Sequence, residues 1–426
     1  MSIALRAQLL FGRGRTGVYS VCSAHPWVIE AAALQAVDDG QPLLLEATSN
    51  QVNQDGGYTG MLPEDFRAFA LKIAESAALT LNQLILGGDH LGPNPWSALR
   101  ACEAMEKAAQ MVALYVTAGF TKIHLDTSMR CADDPEYLDD ATIAERAASL
   151  CEAAERAAEA LNVKPVYIIG TEVPPPGGAT HQLRRMDVTT DAAVERTWKV
   201  HQVAFGSHRL DDAWRRVMAI VVQPGVEFDH DAVIDYLPEA AAGLKSFLAR
   251  HPELVFEAHS TDYQLTAAYT SLIRDGFSIL KVGPALTFAM REALFALACI
   301  EEELLVSEQR SNLRQTLETV MLSRRGHWQR YYQGTPQQQR LLRFFSYSDR
   351  IRYYWPDSEV EQAVKKLLAN LEGVTIPETL LSQYLPGAYT IARNGPSLKP
   401  KQIVIEHIRS VLRIYSAACR QQPTPA

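Results

Sequence analysis

Eight short apolar runs punctuate the first two thirds of the chain. Each is followed by a polar or glycine-bearing turn and then a longer stretch whose apolar residues recur at helical spacing. The runs are GVYSVC (17–22), PLLLEA (42–47), LILGGD (84–89), KIHLD (122–126), PVYIIG (165–170), VMAIVVQ (217–223), LVFEAH (254–259) and FSILKVG (277–283). Between them lie alanine-rich segments such as PWVIEAAALQAV, PEDFRAFALKIAESAAL and ALRACEAMEKAAQMVALYVTAG. Strands that are apolar throughout are buried on both faces, as parallel strands covered by helices are. Eight such units between residues 17 and 283 approach the ~250 residues of a closed (β/α)₈ barrel. A doubly wound open sheet is the competing α/β fold, but the first turn reads SAHPW and lacks its glycine-rich fingerprint. The expectation is a barrel over residues 1–300 and a mostly helical extension over 301–426 packed on it. The extension includes FALACIEEELL, SEQRSNLRQTLETVML, VEQAVKKLLANLEG and KQIVIEHIRSVLRIYSAAC, interrupted by the aromatic, basic stretch SYSDRIRYYW.

Composition narrows the classes. In 426 residues, 47% hydrophobic and 21% charged, there is ample material for a packed core, so a disordered chain is excluded. No run approaches the ~20 apolar residues of a membrane span. Lys and Arg number 41 against 49 Asp and Glu, for a formal charge of −8 without a basic run. Nucleic acid therefore has no electrostatic reason to bind, and small molecules or proteins are the expected partners. The six cysteines are scattered without a C-x-x-C pair, which fits a reducing compartment and no zinc ribbon. The N-terminal MSIALRAQLLFGRGRTG lacks a hydrophobic segment with a cleavage site, so a cytoplasmic protein is expected.

A barrel builds its active site at the C-terminal ends of its strands. Those ends are polar here: Cys22-Ser23-Ala24-His25, Glu46 through Gln51, Gly87-Gly88-Asp89-His90, His124-Leu125-Asp126, Gly170-Thr171-Glu172, Gln223 through Glu227, Glu257-Ala258-His259-Ser260, and Lys281-Val282-Gly283-Pro284. A single such residue is as readily a hydrogen-bonded structural group. Together they predict a pocket where imidazoles and carboxylates converge, since each charge must be solvated, paired or bound. His90, His259 and Glu172 form a candidate ligand set for a divalent metal, zinc, manganese or nickel. Alternation along the third strand aims Asp89 and His90 in different directions, one to a metal and the other to a proton. Lys281 reads as an ion-pair partner of Glu172 or Glu257 in preference to a Schiff-base amine. Gly283 and Thr287 open a helix whose N–H groups suit an anion, or merely make a tight turn. The polar loop NQVNQDGGYTG (50–60) reads as a mobile cover of the barrel mouth.

These strings carry a resemblance. EATSNQVNQDGGYTGM, LILGGDHLGPNPW, AGFTKIHLD, IGTEVPPPGG, VVQPGVEFDH, FEAHSTDYQ, ILKVGPALTFAMREALF, SDRIRYYWPDS and SQYLP, spread from Gly17 to Cys419, are similar to the Z subunit of D-tagatose-1,6-bisphosphate aldolase. The resemblance implies a barrel that accompanies a shorter catalytic Y subunit, a zinc-dependent class II aldolase. It also implies a supporting, non-catalytic role in galactitol and N-acetylgalactosamine catabolism. Related sequences are associated with metal-dependent C4 epimerisation of ketohexoses or their phosphates. A kinase label also attached to the family finds no G-x-x-x-x-G-K-[ST] loop here, and no nucleotide cofactor is expected. The chain departs from the family at Asp55, where an aromatic is usual, and at the basic SRRGHW (323–328).

Two readings stand. The leading one is an aldolase subunit required for full activity and stability of a Y partner, with SYSDRIRYYW as contact surface. The other is a self-sufficient ketohexose 4-epimerase. It assigns Asp89, Glu172 and Asp126 to catalysis. Ser23, His25, Asn50, Gln51, His124, Gln223, Lys281 and Gly283 would bind the sugar, and His90, Glu172 and His259 the metal. An oligomer is expected under either.

Overall fold

The computed structural model describes residues 2–170, 186–394 and 398–420. Eight parallel strands close into a barrel: β1 (Val18–Cys22), β2 (Leu43–Thr48), β3 (Leu84–Leu91), β4 (Lys122–Leu125), β5 (Val166–Gly170), β6 (Val217–Val221), β9 (Val255–Ala258) and β10 (Ile279–Val282). Each contains the core of one apolar run. The remaining pair, β7 (Glu227–Phe228) and β8 (Val233–Ile234), forms a small antiparallel hairpin beyond β6 that the pattern of apolar runs did not announce.

Alternation along the strands divides their side chains between two cores. Val18, Leu44, Ile85, Val166, Ile168, Met218, Val255 and Ile279 fill the lower barrel, and Leu5 and Leu9 of the first helix (Ser2–Phe11) pack on them. The opposite strand faces meet the surrounding helices in one continuous apolar cluster. Those helices carry Ala at contact positions, as in Asp140–Leu161, where Ala144, Ala147, Ala148 and Ala154 are buried. Small side chains there allow close approach of helix to sheet.

The extension shares that cluster. Helix Pro284–Leu304 runs without a break through residue 300 and packs against the last helix, Pro400–Cys419. The latter also lies on helices Pro26–Asp39 and Thr266–Arg274, across the seam between the first and eighth units. The segment read as contact surface is largely interior: Arg350, Ile351, Tyr354 and Trp355 are buried. Among the described residues, no helix is long and apolar enough to cross a membrane.

Candidate functional site

Above the apolar floor the barrel interior turns ionic. Lys122, fully buried, places Nζ 2.7 Å from both Glu46 Oε1 and Glu257 Oε2. Lys281 Nζ lies 2.9 Å from Glu46 Oε2, 2.8 Å from Asp89 Oδ1 and 3.7 Å from Glu257 Oε1. Ser20 donates its hydroxyl to Glu46 Oε1 at 2.5 Å. Gly87 makes room for this layer, since a Cβ there would meet Glu46 Cγ at 2.8 Å. Burial works against the charge on Lys281, but Asp89, Glu46 and Glu257 overcome it and hold its pKa well above the ordinary value. An ammonium so held is a partner for carboxylates and no nucleophile, in line with the ion-pair reading.

One layer higher sit three imidazoles, with ring centroids 4.9 Å (His90 to His124), 4.8 Å (His90 to His259) and 5.3 Å (His124 to His259) apart. Asp89, His90, His124 and His259 each offer a ligand atom within 4.8 Å of the others. Simple alternation would have sent Asp89 and His90 apart. The register between β3 and β4 shifts between Gly88 and Leu91, and His90 adopts a left-handed φ of 47°. This bulge turns both residues into the barrel mouth.

Each ring has an oriented partner. His90 Nδ1 lies 2.8 Å from Asp126 Oδ2, whose Oδ1 accepts from the Ser128 hydroxyl at 2.7 Å. His259 Nε2 lies 2.8 Å from Glu257 Oε1. His124 Nε2 faces the Gly170 carbonyl at 2.9 Å, while its Nδ1 accepts the His90 N–H at 3.2 Å. Carboxylate or carbonyl behind imidazole is the arrangement that fixes the tautomer of a metal-ligating histidine. Burial tends to raise the Asp89 carboxyl, yet Lys281 and the imidazoles hold it well below the usual range. Asp126 is lowered too, burial being outweighed by the His90 ring and Ser128.

Counted with the imidazoles neutral, the charges of the described residues do not balance. Among the described residues, Glu46, Asp89, Asp126 and Glu257 bring four carboxylates to this network against the two ammoniums of Lys122 and Lys281. With neutral imidazoles two negative charges are in excess, and a divalent cation neutralises them. His124 Nδ1 also lies 3.1 Å from Asp89 Oδ1, which places both atoms where one cation could meet them. Donor set and charge both fit a divalent metal.

A cavity of about 260 Å³ opens above the cluster. Of the sequence candidates, Ser23, His25, Asn50, Gln51, Asp89, His90, Asp126, His259, Lys281 and Gly283 line it. Several are already engaged. His25 caps helix Pro26–Asp39 by accepting the Trp27 N–H, and burial pushes it down to about 4. Gln51 Oε1 accepts the Thr48 N–H at 3.0 Å. The Gly283 N–H, read as an anion donor, is given to Asp262 Oδ1 at 3.0 Å along with the Ala285 N–H at 2.8 Å. Burial pushes Asp262 up to about 6. Gln223 does not line the cavity: its Oε1 accepts the N–H groups of Gly225 (2.8 Å) and Val226 (3.0 Å), bracing the turn after β6. His124 lies in the cluster beneath. Glu172 lies outside the described residues.

The 50–60 loop is braced. Asn53 Oδ1 accepts from the N–H of Asp55 (2.8 Å) and Gly57 (3.1 Å), and Asp55 Oδ2 accepts from Trp96 Nε1 (2.7 Å) and pairs with Lys107 (3.2 Å). The departure at Asp55 thus has a local partner set. Lys122, Tyr58, Arg352 and Tyr353 escaped the sequence reading. Lys122 had a signal, because Lys122, His124 and Asp126 alternate along β4 and its end and share the inner face.

Residues 11–420 match the family described as D-tagatose-1,6-bisphosphate aldolase subunit GatZ/KbaZ-like. The crystal structure of a probable tagatose 6 phosphate kinase from Sinorhizobium meliloti 1021 is similar at 50% identity and a TM-score of 0.88, over 95% of this chain and 100% of that one. The YdjI aldolase from Escherichia coli K12 matches at 11% identity and a TM-score of 0.41, over 86% of this chain and 95% of that one. The fructose-bisphosphate aldolase of Campylobacter jejuni matches at 14% and 0.40, over 87% and 90%. With nearly its whole length matched, the chain belongs to the GatZ/KbaZ-like family of D-tagatose-1,6-bisphosphate aldolase subunits.

Proposed function

We propose that this chain is itself a metal-dependent catalyst of aldol-type chemistry on a ketohexose or its phosphate, interconverting C4 epimers. The observation that carries it is the cluster of Asp89, His90, His124 and His259, whose ligand atoms lie within 4.8 Å of one another at the floor of an open cavity. A purely supporting surface has no use for charges whose burial costs several kcal/mol each unless they are compensated. A divalent ion held by these residues, zinc, manganese or nickel, supplies Lewis-acid polarisation of the ketose oxygens.

The chain's own groups do the rest. Asp89, kept ionised by Lys281, takes the proton of the C4 hydroxyl as the C3–C4 bond breaks and its electron pair passes to the C2 carbonyl. The cavity retains the aldehyde fragment while it turns over. The bond re-forms on the other face and the proton returns, so no oxidant or co-reactant is consumed. Glu172 is the further acid/base candidate from sequence, and Asp126 acts here by orienting His90.

A second reading, support of a catalytic Y subunit, is favoured by the family match over residues 11–420. The kinase activity in the Sinorhizobium protein's name has no counterpart here in a phosphate-binding G-x-x-x-x-G-K-[ST] loop. The test is to assay the purified chain with Mn²⁺, Ni²⁺ or Zn²⁺ on fructose, tagatose and their phosphates. We expect turnover that Asp89→Asn lowers by ~100-fold or more. No turnover with any metal, beside activation of a Y subunit by both wild type and variant, establishes the supporting role instead.

A further inference from the structure

Arg352 reaches the barrel mouth from outside the barrel. It belongs to the short 3₁₀ helix Arg350–Tyr354 of the extension and lines the same cavity as Asp89 and His90. Its guanidinium is held by three groups: Nη1 donates to the carbonyls of Ser348 (2.5 Å) and Asp349 (3.0 Å), and Nη2 to the Tyr353 hydroxyl (3.0 Å). The turn that carries it is anchored in turn, because Thr287, on the helix after β10, donates its hydroxyl to Asp349. Tyr353 packs edge to face on Tyr58 of the 50–60 loop, centroids 5.0 Å apart at 85°.

Among the described residues, the two fixed cations of the cavity differ in their surroundings. Lys281 is satisfied by carboxylates at 2.8 and 2.9 Å. Arg352 meets only carbonyls and a phenol, and among the described residues no carboxylate lies within ion-pair reach of it. Of the nearby acids, Asp262 spends Oδ1 on the Gly283 and Ala285 N–H groups, and Asp349 accepts from Thr287 and faces Arg291 at 4.0 Å. A half-buried, pre-oriented guanidinium with no paired carboxylate among the described residues, on which Asp349 acts only from longer range, is a receptor for anionic oxygens.

We propose that Arg352 is a specificity-determining residue, which binds a terminal anionic group of the sugar, phosphate ester or carboxylate, while the sugar's carbonyl end meets the imidazole cluster. The inference rests on the ketose reading above and adds to it the class of ketose. It also gives the extension a task in the site: the barrel alone lacks this group.

The test measures binding by calorimetry to the full-length, Mn²⁺-loaded protein with three ligands: tagatose, tagatose 6-phosphate and the corresponding keto-uronate. One of the anionic ligands is expected to bind at least ~10-fold more tightly than tagatose, the scale of a charge-assisted hydrogen bond. Which one does so identifies phosphate or carboxylate as the group held. In Arg352→Gln the ratio should fall to near one, and Arg352→Lys, which keeps the charge, should retain part of it. Equal affinities in the wild type, or a preference that survives in Arg352→Gln, overturn the assignment of Arg352 alone. Failure of all three ligands to bind overturns the ketose reading as well. Melting temperatures of both variants report whether the turn still folds.

Discussion

Asp126 Oδ2 sits 2.8 Å from His90 Nδ1 and thereby decides which nitrogen of that ring carries its proton. The pair is an orienting device, since a histidine that donates Nδ1–H directs its lone pair from Nε2. Asp126→Asn should weaken Mn²⁺ or Zn²⁺ binding by ~10- to 100-fold with little change in fold. Titration of the metal-free variant followed by calorimetry reads this directly; unchanged affinity would remove Asp126 from the site.

A backbone contact holds the same pair in place. At Gly92 an added Cβ would stand 1.6 Å from the Asp126 carbonyl oxygen, so the loop after β3 rests on the chain at Asp126 with no space for a side chain. Gly92→Ala is expected to move Asp126 and so to lose metal affinity at least as severely as Asp126→Asn, with a lower melting temperature. A variant with wild-type affinity and stability would show that the contact relaxes without effect.

Lys122 carries the ionic layer. Removing it as Lys122→Met leaves Glu46 and Glu257 with Lys281 alone, 3.7 Å from Glu257, and the loss of one partner from a buried pair costs ~3–5 kcal/mol. Denaturant unfolding should report a loss of this size. A cost near zero would mean that water or a cation enters and replaces the ammonium.

Burial pushes the Asp349 carboxyl up to about 7, against Arg291 and Thr287, which act to lower it. The folded protein therefore holds a proton that the unfolded chain releases near its ordinary value of 3.8. Between pH 4 and 7 the native state binds more protons, so this group's contribution to stability is fully present below about pH 4 and declines as pH rises through 7. Asp349→Asn removes the dependence. Its melting temperature relative to wild type should rise by ~2 °C or more from pH 5 to pH 8. A difference that stays flat over that range would show that Asp349 does not titrate there.

The eight strands were readable because parallel strands buried on both faces need unbroken apolar runs, and such runs recur at one spacing. The inner polar layer was readable in part for the same reason: Glu257 and His259, or Lys122, His124 and Asp126, are two apart and so share a face. What alternation cannot express is a bulge. His90 joins Asp89 in the cluster only through its left-handed backbone, a conformation set by contacts with β4. Gln223 looked like a pocket residue by position, yet its side chain satisfies two turn N–H groups that no sequence pattern displays. Tyr353 and Tyr58 lie nearly three hundred residues apart in sequence. Their meeting over the mouth depends on how the extension packs, and short-range periodicity carries no record of it.

The last helix, Pro400–Cys419, closes the seam between the first and eighth units, and the Cys419 carbonyl accepts the Gly17 N–H at 2.9 Å, at the entrance to β1. On the ribosome the opening strand thus waits for the closing helix. All eight strands emerge before the segment that covers their junction, which leaves the apolar flanks of helices Pro26–Asp39 and Pro284–Leu304 uncovered until residues 400–419 have been made. Truncation before residue 400 should therefore yield nascent chains that stay bound to chaperones, whereas cutting a surface loop of the barrel need not.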